Sequence, residues 1–127
     1  MNFEKVIFGF FITLAATLNF GFFIGEMDQP HLHHVSGLVA ALVVSLIATV
    51  LKFGDRTQLG AVHLATSLVA DLQLAAATIV WVWAVYVSPD GMTAERMALV
   101  VSLSGGALLA NLISVVLMLG EIFTLRR

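Results

Sequence analysis

Hydrophobic residues fill the chain in four long runs separated by short polar segments. The runs extend over about residues 3-25, 35-53, 59-87 and 93-125. A helix needs roughly 20 apolar residues to cross the hydrocarbon core of a bilayer, so each run is long enough for one span. The pattern predicts four transmembrane helices that form one domain, residues 1-127.

The segments between the runs carry turn signals. Gly54-Asp55-Arg56-Thr57 follows the second run and Ser88-Pro89-Asp90-Gly91 follows the third, and both are rich in residues that favour turns. Short connections make consecutive helices antiparallel neighbours. No small-residue cleavage motif precedes the polar stretch 26-30, so we expect the first run to be retained as a span. The expected fold is an all-α, polytopic, antiparallel bundle of four transmembrane helices.

Composition narrows the function classes. The chain is 60% hydrophobic and 11% charged, with a mean hydropathy of +1.02 and a net charge of -2. These values exclude a soluble globular domain, a disordered tail and a nucleic-acid-binding protein. The absence of cysteine excludes thiolate catalysis and Cys-ligated metals. No acid and nucleophile pair within the spans favours an enzyme, and we expect no cofactor.

The cations are distributed unevenly across the predicted membrane. Five lie on one side, with Arg96 alone on the other: Lys5, Lys52, Arg56, Arg126 and Arg127. Because cytoplasmic loops collect Lys and Arg, both termini are predicted to be cytoplasmic, in a bacterial inner membrane.

The opposite side carries an acidic rim, which comprises Glu26, Asp28, Asp90 and Glu95. Its field should concentrate cations. His31, His33 and His34 fall in the same region and offer imidazoles for zinc, copper or nickel. A solvated or pH-sensitive surface loop is the favoured interpretation of these histidines, and a metal site is the alternative.

The third run contains the polar residues that most need an explanation. At 3.6 residues per turn, His63, Ser67 and Asp71 share one helix face. Asp71 falls near the bilayer centre, where an ionised carboxylate costs about 2.5-3.5 kcal/mol even on the most lenient scale. It is therefore either part of an ion or proton site, or a neutral acid hydrogen-bonded to neighbours such as Asn19, Ser45 or Asn111.

Further polar side chains fall inside the first and fourth spans: Asn19, Ser104, Asn111 and Ser114. Oxygen atoms of this kind suit a dehydrated alkali cation or a proton-carrying water chain. Interhelical hydrogen bonding is the structural alternative for each of them. The predicted ion pathway comprises Asp71, His63, Ser67, Asn19 and Asn111.

Small residues recur every four positions in three of the runs, a spacing that lets helix backbones approach closely in lipid. The first run has Gly9, Thr13, Thr17, Gly21 and Gly25; the second has Gly37, Ala41, Ser45 and Thr49; the fourth has Ser102, Gly106, Ala110 and Ser114. We expect these ridges to pack the bundle and to support a homo-oligomer.

Residues 46-61, LIATVLKFGDRTQLGA, and residues 64-74, LATSLVADLQL, resemble an uncharacterised family of short four-span bacterial inner-membrane proteins. The resemblance implies location and architecture, and no activity. From the residues themselves, we expect a membrane protein that moves a monovalent cation, as a channel or a transporter. The alternative is a non-transporting accessory or regulatory subunit of a larger membrane complex.

Overall fold

The computed structural model describes residues 3-24, 35-53 and 57-125. These ranges contain four α-helices, α1 (Phe3–Phe23), α2 (Val35–Lys52), α3 (Gln58–Val82) and α4 (Ala94–Leu125), and a π-helical turn, Trp83–Val87, continues α3. The described part of the chain contains no strand. The all-α prediction is confirmed.

Two threonine caps mark the starts of α3 and α4, and a glycine forms the turn between these helices. Thr57 caps α3, because its hydroxyl accepts a hydrogen bond from Gly60 N–H (2.9 Å). Thr93 accepts in the same way from the backbone N–H of Arg96 (3.2 Å) at the start of α4. Between the two helices, Gly91 adopts a φ of 68°, a left-handed conformation that glycine takes without steric cost.

The turn at the end of α3 has the wider π-helical hydrogen bond. Ser88 N–H donates to Trp83 O, five residues earlier (2.8 Å). Ala84 is buried here, whereas Tyr86 is 75% exposed. The turn therefore ends α3 with an aromatic side chain on the outer surface.

The four helices form a square in which each packs on two neighbours. α1 and α3 each contact both α2 and α4. Lys5 near the start of α1 pairs with Glu121 near the end of α4, and His63 of α3 meets Ser114 of α4, so α4 runs antiparallel to both. We call the end of the bundle that holds these contacts the His63 end, and the opposite end the Trp83 end.

The outer surface of the bundle is apolar. Large hydrophobic side chains are exposed on every helix, among them Phe10, Val50, Leu72 and Leu109. Among the described residues, three helical segments are long and apolar enough to cross a membrane: Lys5–Phe23, Gln58–Val87 and Ala94–Glu121. The apolar part of α2, Ser36–Lys52, is shorter. The protein thus has the surface and the helix lengths of a membrane protein.

The small-residue ridges face different directions. On α2, Ala41, Ser45 and Thr49 are buried against the other helices. On α1, by contrast, Thr13, Thr17 and Gly21 are exposed, and a Cβ added at Gly21 would meet nothing within 4 Å. The α4 ridge turns from exposed Ser102 to buried Ala110 and Ser114. Packing within the bundle accounts for the α2 ridge and not for the α1 ridge.

Candidate functional site

A column of buried polar side chains extends from the His63 end to the middle of the bundle. We call this region the polar half, and it comprises Ser45, Thr49, Lys52, His63, Ser67, Asp71, Asn111 and Ser114. The helix faces that carry these residues converge because α2, α3 and α4 place them toward the bundle axis. Hydroxyl, amide, imidazole, ammonium and carboxylate groups are thus enclosed within an apolar shell.

Asp71 lies at the inner end of the column and is 7% exposed. Thr49 Oγ1 donates a hydrogen bond to Asp71 Oδ2 (2.5 Å) and also lies 3.0 Å from the carbonyl oxygen of Ser45. A hydroxyl has one proton and two lone pairs. Thr49 donates to an ionised Asp71; when Asp71 is protonated, the acid donates to Thr49, and Thr49 donates to the Ser45 carbonyl. One hydroxyl therefore serves both charge states of the carboxyl group.

His63 lies two helical turns from Asp71, toward the His63 end. Its Nδ1 is 3.4 Å from Ser114 Oγ, which is in turn 2.5 Å from Thr66 Oγ1. The Phe8 ring packs edge-on against the imidazole, with 5.1 Å between ring centroids. These contacts hold the imidazole between α1, α3 and α4.

Lys52 closes the outer part of the column. Its side chain is buried, and Nζ lies 4.3 Å from the centroid of the Phe8 ring, a distance at which the ring face attracts an ammonium ion. Phe8 therefore contacts both basic groups of the polar half. Lys52 is one of the cations predicted on the cytoplasmic side, and in the structure its ammonium points toward the bundle interior.

Several polar atoms in the column have no hydrogen-bond partner among the described residues. They are Ser45 Oγ, Ser67 Oγ, Asp71 Oδ1, Asn111 Oδ1 and Asn111 Nδ2. Buried polar groups in native proteins are nearly always bonded to protein, water or an ion. These unsatisfied atoms make the middle of the column the candidate functional site.

The unsatisfied atoms belong to neighbouring helical turns. Ser67 lies one turn inward from His63, and Asn111 lies one turn inward from Ser114. Because His63 and Ser114 are in contact, Ser67 and Asn111 share the next level of the column. Asp71 follows one turn after Ser67 and contacts Thr49, and Ser45 lies one turn of α2 from Thr49 toward the Trp83 end.

Asn19 and Ser104 mark the boundary of the polar half. Ser104 Oγ donates to Asn19 Oδ1 across the α1–α4 interface. Beyond this pair, toward the Trp83 end, the interior is apolar. We call that region the apolar half, and it comprises Phe22, Leu38, Leu74, Ala77, Met97, Val100 and Val101. The predicted pathway residue Asn19 thus pairs with α4, and the partner of Asp71 is Thr49.

The acidic rim is described only in part. Asp90 and Glu95 are exposed at the Trp83 end. Arg96 Nη2 lies 4.0 Å from Asp90 Oδ2, and its Nη1 donates to Ser88 Oγ (2.7 Å) and Gly91 O (2.6 Å). The remaining predicted rim and metal residues, Glu26, Asp28, His31, His33 and His34, lie outside the described residues. Within the described part of the chain, no group of three or more His, Asp or Glu side chains is placed to hold a metal ion.

Thr49 and Gln73 are among the polar residues of this interior that the predicted pathway does not include. Thr49 belongs to the small-residue ridge of α2, and its spacing of four from Ser45 was the available signal. Gln73 packs its amide against Gly106 of α4, where an added Cβ would come within 2.6 Å of Gln73 Oε1. That close approach depends on the packing of α3 on α4, which helical periodicity alone does not give.

Residues 32–122 match a family of unknown function, DUF6394. The chain belongs to this family. The DUF6394 match covers α2, α3 and most of α4, so it includes the whole polar half and leaves α1 outside. No curated protein and no solved structure matches the chain.

Proposed function

We propose that this protein moves a monovalent cation across the membrane and that Asp71 binds the cation on its way. The observation that supports this proposal is the cluster of unsatisfied polar atoms around Asp71 inside an otherwise apolar bundle. Burying such groups without partners costs free energy. A permeating cation with its remaining water supplies the partners that the described protein atoms lack.

The polar half provides the path from the His63 end to Asp71. Ser114 at one level, and Asn111 and Ser67 together at the next, offer oxygen atoms that can replace part of the hydration shell of the ion. The carboxylate of Asp71 supplies the negative charge that offsets the charge of the cation. Its second oxygen is held by Thr49, so the carboxylate keeps a fixed direction.

The apolar half blocks the path between Asp71 and the Trp83 end, so the proposed movement is gated there. Leu38, Leu74 and Met97 are fully or almost fully buried between Asp71 and the Trp83 end, and an apolar constriction excludes water and ions. A cation bound at Asp71 therefore leaves toward that end only when the helices of the apolar half separate. This arrangement favours stepwise movement over a permanently open pore.

Cation flux into liposomes that contain only the purified protein tests the proposal. We expect flux through the wild type and a reduction of roughly tenfold to a hundredfold in Asp71→Asn, because an interaction with a charged group is worth about 1.5–3 kcal/mol. The amide can still accept the Thr49 hydrogen bond, so the variant should fold. Glu121→Gln is the matched control, since it removes a carboxylate near the His63 end that pairs with Lys5, and its flux should equal that of the wild type.

Two results would contradict the proposal. Equal flux in folded Asp71→Asn would make Asp71 a structural acid. A silent wild type would favour the second candidate function, an accessory subunit of a larger membrane complex. The exposed α1 ridge of Thr13, Thr17 and Gly21 supports that alternative, because small residues on a lipid-facing surface allow another helix, or a second copy of this chain, to pack closely.

We further propose a bacterial inner-membrane location in which the His63 end faces the cytoplasm, on the basis of the five-to-one distribution of cations. The chain has no native cysteine, so single cysteines report topology cleanly. Asp90→Cys, at the Trp83 end, should react with an impermeant maleimide added outside intact cells. Gln58→Cys, at the His63 end, should react only after the membrane is permeabilised. The reverse labelling pattern would show that the orientation is opposite to the proposed one.

A further inference from the structure

We infer that Lys52 is an internal competitor for the carboxylate of Asp71. Its ammonium moves between two positions, the Phe8 ring and Asp71, so that Lys52 and the transported cation bind Asp71 in turn. The structure holds the ammonium at the first position, 4.3 Å from the centroid of the Phe8 ring. This inference rests on the proposed function, because it describes how release of the cation from Asp71 is regulated.

The surface of α2 places Lys52 between these two positions. Lys52 lies one turn after Ala48 and Thr49, and residues three and four apart are neighbours on a helix surface. Ala48 belongs to the same buried cluster as Phe8, whereas Thr49 donates to Asp71. The aromatic ring and the carboxylate therefore lie on either side of the lysine side chain.

The distances allow the ammonium to reach Asp71. Thr49 Oγ1 is 2.5 Å from Asp71 Oδ2, and the Cα atoms of Thr49 and Lys52 are about 5 Å apart in a helix. The carboxylate thus lies within about 10 Å of Lys52 Cα. A lysine side chain extends about 6 Å, and an ion pair forms over a further distance of up to about 4 Å, which covers this separation.

The two side chains also lean toward each other. Side chains on a helix tilt toward its N-terminus. Helix α2 ends at the His63 end with Lys52, and α3 begins at that end with Gln58. Lys52 therefore tilts inward to the level of Asp71, and Asp71 tilts outward to the level of Lys52.

Electrostatics favours the pairing whenever the transported cation has left the carboxylate. A carboxylate buried in an apolar bundle is costly without a positive neighbour, and Asp71 Oδ1 has no hydrogen-bond partner among the described residues. The face of the Phe8 ring attracts an ammonium less strongly than a carboxylate does. Lys52 therefore helps to displace the cation from Asp71, and it returns to Phe8 when a new cation binds.

A double-mutant cycle on the purified full-length protein in mixed micelles tests the pairing. Denaturant titrations are carried out with choline chloride as the only salt. Lys52→Met should raise the equilibrium constant of unfolding by about tenfold or more, because it leaves a buried carboxylate without its counter-ion. In the Asp71→Asn background, the same substitution should change this constant by less than about threefold. Lys5→Met, which removes the lysine that pairs with Glu121, is the matched control and should have the same effect in both backgrounds.

A direct measurement of the contact keeps the test valid if Lys52→Met does not fold. The chain has two lysines, Lys5 and Lys52, so ¹⁵N labelling of lysine Nζ and ¹³C labelling of aspartate Cγ give few signals in solid-state NMR of proteoliposomes. In choline chloride, a contact between Lys52 Nζ and Asp71 Cγ should be present, and it should disappear in Asp71→Asn. Lys5→Gln should retain it. NaCl or KCl, whichever the wild type transports, should reduce the contact.

Three results would overturn the inference: independent effects of Lys52→Met and Asp71→Asn in the cycle, no contact between the two groups in choline chloride, or a contact that the transported cation does not reduce. Flux of sodium and potassium through the same preparations separates this inference from the proposed function. Coupling of Lys52 to Asp71 without flux of either ion rejects transport and keeps the ion pair. Asp71-dependent flux without this coupling rejects only the internal competitor.

Discussion

The polar and apolar halves occupy the same bundle and are built from the same helices, yet their interiors differ in kind. In the apolar half, Leu38 of α2, Leu74 of α3 and Val100 of α4 belong to one buried hydrophobic cluster. In the polar half, Ser67, Asp71 and Asn111 leave polar atoms without a described partner. On α3 the change occurs within a single turn, between Asp71 and Leu74.

Under the proposed function, this difference separates residues that stabilise the bundle by packing from residues that bind the cation. The apolar half satisfies its side chains by packing alone. The polar half retains unsatisfied groups that do not help the protein fold, and natural proteins keep such groups mainly at functional sites. Substitutions in the apolar half should therefore mainly lower the free energy of unfolding. Substitutions in the polar half should mainly lower flux.

The largest expected effect comes from placing polarity in the apolar half. Leu74→Asn should lower the free energy of unfolding by about 2–4 kcal/mol, because it removes buried packing and leaves an amide without a partner. Denaturant titration of the purified protein in mixed micelles measures this loss. Asp71→Leu is the matched reverse exchange one turn away, and its stability should stay within about 1 kcal/mol of the wild type.

Asp71→Leu should be tolerated because Thr49 can still donate its hydrogen bond to the Ser45 carbonyl when the carboxylate is removed. Flux should nevertheless be lost in Asp71→Leu. If Asp71→Leu destabilised the bundle as much as Leu74→Asn, the polar half would be part of the folding core and the contrast between the halves would fail.

The smallest expected effect concerns the acidic rim beyond the apolar half. Neutralising Asp90 and Glu95 together with Glu26 and Asp28 should slow transport by up to about fivefold at low ionic strength, since exposed charge interactions are worth about 0.2–1 kcal/mol. The effect should disappear near 1 M salt, where the Debye length is about 3 Å. Flux measured across a salt series checks this, and an equal loss at high salt would indicate direct coordination of the cation by the rim.

Much of the fold was predictable because hydrophobic run length and turn residues act locally. The apolar runs and the segment Ser88-Pro89-Asp90-Gly91 indicate four helices, and the described structure has them. The π-helical turn was not predictable, because a π turn and an α turn differ by one residue and have the same apolar composition. The direction of the α1 ridge also depends on how α1 is rotated in the bundle.

The candidate site was predictable along α3 and less so across helices. Helical spacing placed His63, Ser67 and Asp71 on one face, and all three are buried there. Cross-helix partners depend on the relative height and tilt of the helices, which periodicity does not encode. Thr49 was for this reason absent from the expected neighbours of Asp71, and the contact of Lys52 with Phe8 of α1 was not predicted.

The π-helical turn has a consequence for the evolution of the family. A π turn is equivalent to an α-helical turn with one inserted residue. The extra residue here is confined to Trp83–Val87, three or more turns beyond Asp71. A relative with a single-residue deletion in this segment would regain a continuous α-helix and change only the orientation of the terminal aromatic residues. The length of α3 can therefore change at this turn while Ser67 and Asp71 at its centre remain in register.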